Sequence, residues 1–346
     1  MNGARSSART DLVVERPEGL YVPAGDFYID PWRPVSRAVI THAHADHSRW
    51  GHGHYLAAKP AEHVMRSRLG TIDFLGLAYS ERIKVGDAIV SFHPAGHVLG
   101  SAQVRIEVDG EVWVVSGDYK LESDPTCDAF EPIRCHTFIT ESTFGLPVYQ
   151  WQATKIVASE INAWWAGNAA QQRASVLLCY SFGKAQRILA SVDSDIGPII
   201  CHGAVQTLNQ AYRASGVPLP ATQLVSETAD KKDLQRALVV APPSAAGSTW
   251  MRRFPHYSDA FASGWMLVRG ARRRRALDRG FVMSDHADWP GLQRAIGATE
   301  AQRVIVTHGY EAVMIRWLQE QGLEAGAFKT EFGGEAGAEE PDGSQH

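Results

Sequence analysis

Four side chains able to hold a divalent cation, His42, His44, Asp46 and His47, are packed into six positions of the run Thr41-His-Ala-His-Ala-Asp-His47. Imidazole and carboxylate are the donors that a borderline cation such as zinc prefers, and this spacing supplies enough of them for two ions side by side. The preceding Arg37-Ala-Val-Ile-Thr41 reads as a short buried strand, so the cluster sits where a strand ends, a usual place to display functional groups. The first expectation is therefore a dinuclear metallohydrolase. Fourteen histidines in 346 residues give some clustering by chance. His52, His54 and His63 lack the strand-end placement, however, and read as surface or supporting polar residues.

The same placement recurs along the chain. Gly96-His97 follows an apolar run ending at Phe92, and Asp118 follows Glu111-Val-Trp-Val-Val115 in Ser-Gly-Asp-Tyr. His286 and His308 follow Gly280-Phe-Val-Met-Ser284 and Arg303-Val-Ile-Val-Thr307. One convergent site at an edge of the sheet accounts for this pattern.

The chain up to about residue 150 reads as sheet, with strands at Gly19–Val22, Phe27–Ile29, Ala38–Ile40, Arg82–Val85 and Ala88–Phe92. A hairpin joins Gln103–Val108 to Glu111–Val115 through Asp109-Gly110, and one helix near Pro60–Leu69 interrupts the strands. After Glu141-Ser-Thr-Phe-Gly145 the pattern becomes helix and strand in alternation: helices over 154–167, 184–192 and 205–215, strands over 175–180, 198–201, 237–241 and 264–267. Such alternation predicts a parallel α/β unit. The return of histidine-terminated strands then predicts that residues 151–280 are inserted into a parent domain formed by 1–150 and 281–330. Residues 331–346 are Gly, Glu, Asp and Ser with almost no apolar content, and are expected to form a disordered acidic tail.

Taken together, these motifs resemble the metallo-β-lactamase superfamily, and specifically its nucleic-acid-cleaving β-CASP branch. Asp30 stands as a first motif, His42-x-His44-x-Asp46-His47 as the second, His97 as the third and Asp118 as the fourth; Glu141 in Glu-Ser-Thr, His286 in Ser-Asp-His-Ala-Asp and His308 in His-Gly are the marks of the branch. The resemblance implies an α/β fold, a metallo-β-lactamase αββα sandwich with an inserted α/β β-CASP cap domain. It implies that one ion is held by His42, His44, His97 and Asp118, and the other by Asp46, His47, His308 and the bridging Asp118. Asp30 would orient a ligand histidine, while Asp46, Glu141 and His286 carry catalytic roles, His286 as proton donor to the leaving oxygen with Glu141 fixing its ring. The implied cofactors are two divalent metal ions, zinc first and manganese second.

Within the branch, Gly264-Trp-Met, Arg269-Gly-x-Arg-Arg-Arg-Arg275 and Met283-Ser-Asp-His-Ala-Asp-Trp289 are most similar to bacterial ligase-associated DNA exonucleases. That likeness implies a 5′ exonuclease acting on single-stranded DNA or a duplex end in repair, with a DNA ligase and a helicase as partners. His308 departs from the Artemis-type DNA repair pattern and is shared with the messenger-RNA 3′-end cleavage nuclease and RNase J. An RNA-processing nuclease of the same fold is therefore the alternative, and a small-molecule hydrolase a more distant one, since the cap, Glu141 and His286 have no evident task there.

A formal net charge of −4 hides an uneven distribution. From Arg252 to Arg279 there are eight Arg against two Asp, and of the 34 basic residues 26 are Arg. Arg272, Arg273, Arg274 and Arg275 are expected to meet backbone phosphates, a salt-dependent contact that carries no sequence preference. Tyr180-Ser-Phe-Gly-Lys184 leaves a strand and opens a helix, so Ser181, Lys184 and the local N–H groups are candidates for a terminal phosphate; the same turn is common in any α/β unit, and both readings stand. Cys127, Cys135, Cys179 and Cys201 form no Cys-x-x-Cys pair and read as reduced thiols. No apolar run approaches the roughly 20 residues that cross a bilayer, and the start lacks a secretory core, so the expectation is a cytoplasmic protein without a membrane partner.

Overall fold

The computed structural model describes residues 11–227, 231–268 and 277–332. Arg272 to Arg275 and nearly all of the acidic tail lie outside the described residues. The architecture is α/β, and the αββα sandwich with its added α/β unit is present.

The first sheet runs in chain order: β1 (Val14–Arg16), β2 (Gly19–Val22), β3 (Phe27–Ile29), β4 (Arg37–Ile40), β5 (His54–Ala58) and β6 (Phe74–Leu77). The second contains β7 (Arg82–Val85), β8 (Ala88–Pro94), β9 (Ala102–Val108), β10 (Glu111–Val115) and β11 (Thr137–Ser142). It is completed by two late strands, β18 (Arg303–Gly309) and β19 (Glu324–Ala327), in the order β19-β18-β11-β10-β9-β8-β7. The predicted hairpin is there, with Asp109 at φ 49° and Gly110 at φ 83°, the left-handed pair that a two-residue turn between twisted strands requires.

Alternation decides what each face meets. Along β10, Trp113 and Val115 enter the core between the two sheets with Phe92, Val104 and Ile139. Val112 and Val114 face the other way, against Leu292, Ala295 and Ile296 of the helix Trp289–Thr299 and Met314 and Leu318 of the helix Glu311–Glu320. On the outer face of the first sheet, Ile40, Tyr55 and Ala57 pack on Val64 and Met65 of the helix Glu62–Leu69. These are the four layers.

Between β11 and β18 the chain builds a third sheet: β12 (Ala174–Leu178), β13 (Ile199–Cys201), β14 (Gln223–Leu224), β15 (Leu238–Ala241), β16 (Tyr257–Ala262) and β17 (Arg279–Phe281), ordered β14-β13-β15-β12-β16-β17. All its pairings are parallel. Both faces are apolar: Leu177 and Cys179 pack with Ile161 and Trp165 of the helix Thr154–Ala170, while Val176 and Leu178 pack with Met251, Phe254 and Met266. A parallel sheet covered on both faces reads as near-continuous apolar runs, which is how these strands read in the sequence.

One element differs from expectation. Gly264–Leu267 is a 3-10 turn, not a strand; the strand is Tyr257–Ala262, just before it. Ser263 Oγ accepts the Trp265 N–H at 3.3 Å and so caps the turn. A Cβ on Gly264 would also lie 2.5 Å from the Phe144 ring. A short apolar run carries no period that separates the two outcomes.

The second sheet delivers the late histidine through one tight contact. β11 and β18 pair in parallel with a register shift between Thr140 and Ser142, and Ser142 Oγ donates to the His308 carbonyl at 2.6 Å. Gly309 has φ +92°, and a Cβ there would stand 2.2 Å from the Ser142 carbonyl oxygen. We predict that Gly309→Ala lowers stability by about 2–3 kcal/mol, through left-handed strain plus backbone collision. Urea denaturation of the two proteins measures this, and an unchanged midpoint would contradict it.

Candidate metal centre

The loops that follow β4, β8 and β10, together with the C-terminal end of β18, bring His42, His44, Asp46, His47, His97, Asp118 and His308 to one end of the sandwich. Asp118, 4% exposed, is the hub. Its Oδ2 lies 3.4 Å from His42 Nε2, 3.5 Å from His47 Nε2 and 3.8 Å from His97 Nε2. Its Oδ1 lies 3.3 Å from His308 Nε2. His97 Nε2 and His44 Nδ1 are 3.0 Å apart, and Asp46 Oδ2 is 3.9 Å from His47 Nε2. Donor atoms that each lie about 2.0–2.2 Å from zinc stand roughly 3.3 Å from one another in a tetrahedron, so these spacings are those of a ligand shell.

The outer nitrogens of the histidines fix which inner atoms carry lone pairs. His47 Nδ1 donates to Asp30 Oδ2 at 2.8 Å, and His97 Nδ1 to the Asp285 carbonyl at 2.8 Å. His44 Nε2 donates to the Phe182 carbonyl at 3.3 Å. The Thr41 hydroxyl is committed to Asp30 at 2.5 Å, so at 3.1 Å it accepts from His42 Nδ1. Thr307, which donates to the Thr140 carbonyl at 3.3 Å, likewise accepts from His308 Nδ1 at 3.0 Å. Every inner nitrogen is thereby left as a bare acceptor, and an outer partner of this kind is what orients a metal-binding imidazole. His42 Nε2, His47 Nε2, His308 Nε2 and Asp118 Oδ1 are all buried without a hydrogen-bond partner. Buried acceptors crowded together without donors are costly unless a cation is shared among them, and the donor set therefore fits divalent metal.

The electrostatics agree. Burial pushes the imidazoles of His42, His44 and His97 below their usual range. Burial acts the same way on His47, but the carboxylates of Asp118, Asp46 and Asp30 outweigh it and hold that ring at about 10. Burial favours the neutral form of Asp118, yet the surrounding histidines, His47 foremost, hold its carboxyl well below the usual range. A proton on His47 and a cation in the shell answer the same local excess of negative charge.

Asp30 adopts a left-handed backbone with φ 44° and accepts from the Thr41 N–H at 2.7 Å as well as from its hydroxyl. It thus ties the start of the ligand loop to His47. Beside the cluster, His286 Nδ1 lies 2.9 and 3.1 Å from the two Glu141 oxygens, and Glu141 Oε1 also accepts the Tyr119 N–H at 2.8 Å. Ligating atoms of Asp118, Glu141 and His286 come within 4.8 Å of one another.

Ser181 and Lys184, for which two readings stood, lie in the packed interior of the turn. Both are fully buried, and the Lys184 ammonium lies 3.3 Å from Asp285 Oδ2. The turn before the helix is folded inward because its Phe182 carbonyl serves His44, and a buried, ion-paired ammonium is not presented to a strand's end. Several contributors carried little sequence signal: the Phe182 carbonyl, Asp285, and Phe332, whose ring stacks on His47 at 4.2 Å. The repeated Thr-His step at 41–42 and 307–308 was the legible one. His52 is buried and accepts the Val35 N–H at 3.3 Å, His54 is exposed and pairs with Asp73, and His63 is exposed. All four cysteines are free.

No family model matches the chain. It is 32% identical to a probable DNA ligase of Opitutus terrae over 319 residues, covering 91% of this chain and 31% of that protein. It is 29% identical to the endoribonuclease YSH1 of Candida glabrata over 135 residues, covering 36% of this chain and 16% of that protein. The chain belongs to the β-CASP branch of the metallo-β-lactamase superfamily. It spans about a third of the ligase relative's length and less of the endoribonuclease's. A solved structure of a protein of unknown function from Enterococcus faecalis shares the fold of this β-CASP chain with a TM-score of 0.56 at 13% identity, covering 84% of this chain and 78% of that one. Among the described residues no helix is long and apolar enough to cross a membrane.

The role of Asp30 is testable apart from turnover. Asp30→Ala removes the acceptor of His47 Nδ1, and the affinity for one ion is expected to fall about 10- to 100-fold in a chelator competition. Equal affinities in the two proteins would show that Asp30 does not support the site.

Proposed function

We propose that this β-CASP chain is a dinuclear metal-dependent nuclease that hydrolyses the phosphodiester bonds of DNA, acting from a 5′ end in repair together with a DNA ligase. The observation that carries the reading is the shell of bare, oriented donors beside the Glu141–His286 pair. His42, His44, His97 and Asp118 would hold one ion, and Asp46, His47, His308 and the shared Asp118 the other; zinc suits this donor set first and manganese second. Bound there, the ions would activate water and neutralise charge on the scissile phosphate.

The chain's own residues supply the remainder. Asp118 Oδ2 draws three histidines together, and Asp30 fixes the ring of His47. Glu141 accepts from His286 Nδ1 and so orients the ring that delivers a proton, from Nε2, to the leaving oxygen. Arg272 to Arg275 add backbone phosphate contacts of no sequence preference.

Similarity to a probable DNA ligase over 91% of the chain supports a DNA substrate, a place in repair and a ligase as partner; a helicase partner rests on the resemblance to ligase-associated exonucleases alone. Similarity to an endoribonuclease favours an RNA substrate as the second reading. Digestion of matched 5′- and 3′-labelled DNA and RNA oligonucleotides, with zinc or manganese, separates the two. Mononucleotide release from the 5′ end of DNA, absent in His47→Ala, is the expected result; preferential cutting of RNA would move the substrate, and no cutting of either would end the nuclease reading. His286→Ala is expected to keep both ions by elemental analysis and to slow turnover by about 100-fold or more. Loss of metal in that variant would make His286 a ligand instead.

A further inference from the structure

Six charged side chains are gathered behind the Ser284–Ala287 loop, and none belongs to the metal shell. Arg187 and Lys184 come from the helix Lys184–Ser191, which packs on the third sheet; Lys120, Glu122 and Asp124 follow Asp118; Asp285 immediately precedes His286. Arg187 is 2% exposed. Its Nε pairs with Asp124 and lies 3.2 Å from Asp285 Oδ1. Its terminal nitrogens donate to the carbonyls of Ser284 at 3.3 Å and His97 at 3.2 Å. Lys184 Nζ lies 3.3 Å from Asp285 Oδ2. Lys120 Nζ donates to the Ser284 carbonyl at 2.8 Å and is 3.1 Å from Glu122.

The set is neutral, with three cations facing three carboxylates, and all but Glu122 are buried. Burying ion pairs contributes little net stability, because desolvation offsets most of the attraction and apolar residues of similar volume serve as well. What such a set can fix is geometry. Here it fixes the two residues on the chain side of His286: Ser284 through its carbonyl, and Asp285 through both carboxylate oxygens. Downstream, the Ala287 N–H donates to the Tyr119 carbonyl at 2.7 Å, and the Trp151 indole donates to the His286 carbonyl at 2.9 Å. His286 is thus held through its neighbours on both sides, while its own ring is left to pair with Glu141.

We propose that Arg187 is a positioning residue for His286: a guanidinium from the inserted unit that aims the proton-donating ring at the leaving oxygen. The inference rests on the nuclease reading above. Lysine in its place keeps the charge but loses the planar fork that reaches two carbonyls and two carboxylates at once. His97 is also touched by Arg187, and its ring donates to the Asp285 carbonyl, but its backbone is secured within its own loop, since the Ser101 hydroxyl accepts the His97 N–H at 3.1 Å; metal content therefore reports any disturbance of His97.

The test is Arg187→Lys in the full chain, beside wild type and His286→Ala, with circular dichroism to establish folding. Expected are an unchanged metal content and a kcat reduced about 10- to 100-fold on the oligonucleotide that the wild type cuts, with KM unmoved. Bis(p-nitrophenyl) phosphate, whose leaving group needs no proton, is expected to be hydrolysed by Arg187→Lys with a much smaller loss than the oligonucleotide. Equal losses on the two substrates, an unchanged kcat on the oligonucleotide, or loss of metal would each overturn the proposal. Hydrogen exchange is the arm independent of nuclease activity. Faster exchange at residues 284–287 in Arg187→Lys is expected, and unchanged protection there overturns the proposal even if the wild type proves inert and the nuclease reading falls on its own.

Discussion

Lone pairs turned toward one another around a common centre govern this molecule. Five imidazoles and two carboxylates converge at one end of the sandwich, and five outer acceptors turn each ring so that its bare nitrogen faces inward. An unmatched buried polar atom costs about 1–3 kcal/mol, and several of them crowded together repel as well. Metal binding at histidine and carboxylate sites is worth far more, on the order of 10 kcal/mol where folding and binding are linked. The geometry is thus a prepayment whose return is cation affinity, and the hydrophobic cores on both faces of the second sheet supply the stability that allows it.

Much of the site was legible because it obeys one rule, a candidate ligand at or within a few residues of the C-terminal end of a strand. β4, β8, β10 and β18 are short apolar runs with clear ends, and the residue types that follow them are unmistakable. The hairpin at Asp109-Gly110 was legible for a similar reason, since two adjacent left-handed residues have few other uses. Less legible were the parts whose role depends on depth. Lys184 has the sequence appearance of a phosphate ligand, but only the packing reveals that its ammonium faces Asp285. The strands β5, β6 and β16 are short runs of mixed burial and owe their conformations to the sheets they join.

The third sheet and the sandwich share the candidate metal centre. The Phe182 carbonyl, from the turn after β12, orients His44, while Asp285, beyond β17, orients His97 through its carbonyl. Phe144 packs on Trp265 at 4.8 Å and stands 6.0 Å from His286, so an aromatic contact bridges the same junction. A shift of the third sheet relative to the sandwich would therefore disturb the rings of His44, His97 and His286 together.

Strands β11 and β18 are neighbours in the second sheet, yet Ser142 and His308, which bond across them, are 166 positions apart in the chain. Closing an unstructured loop of that length has a length-dependent cost of roughly 4–5 kcal/mol. If the parallel sheet between them condenses first, the ends it presents are already near one another and the remaining closure is short. The order of assembly is then set by connectivity: the insertion folds, its exit strand leads β18 into place, and only afterwards do the early and late histidines meet. A newly made chain would pass through a stage with a finished outer unit and a sandwich lacking its last two strands, whose open edge at β11 is the surface most in need of protection during synthesis.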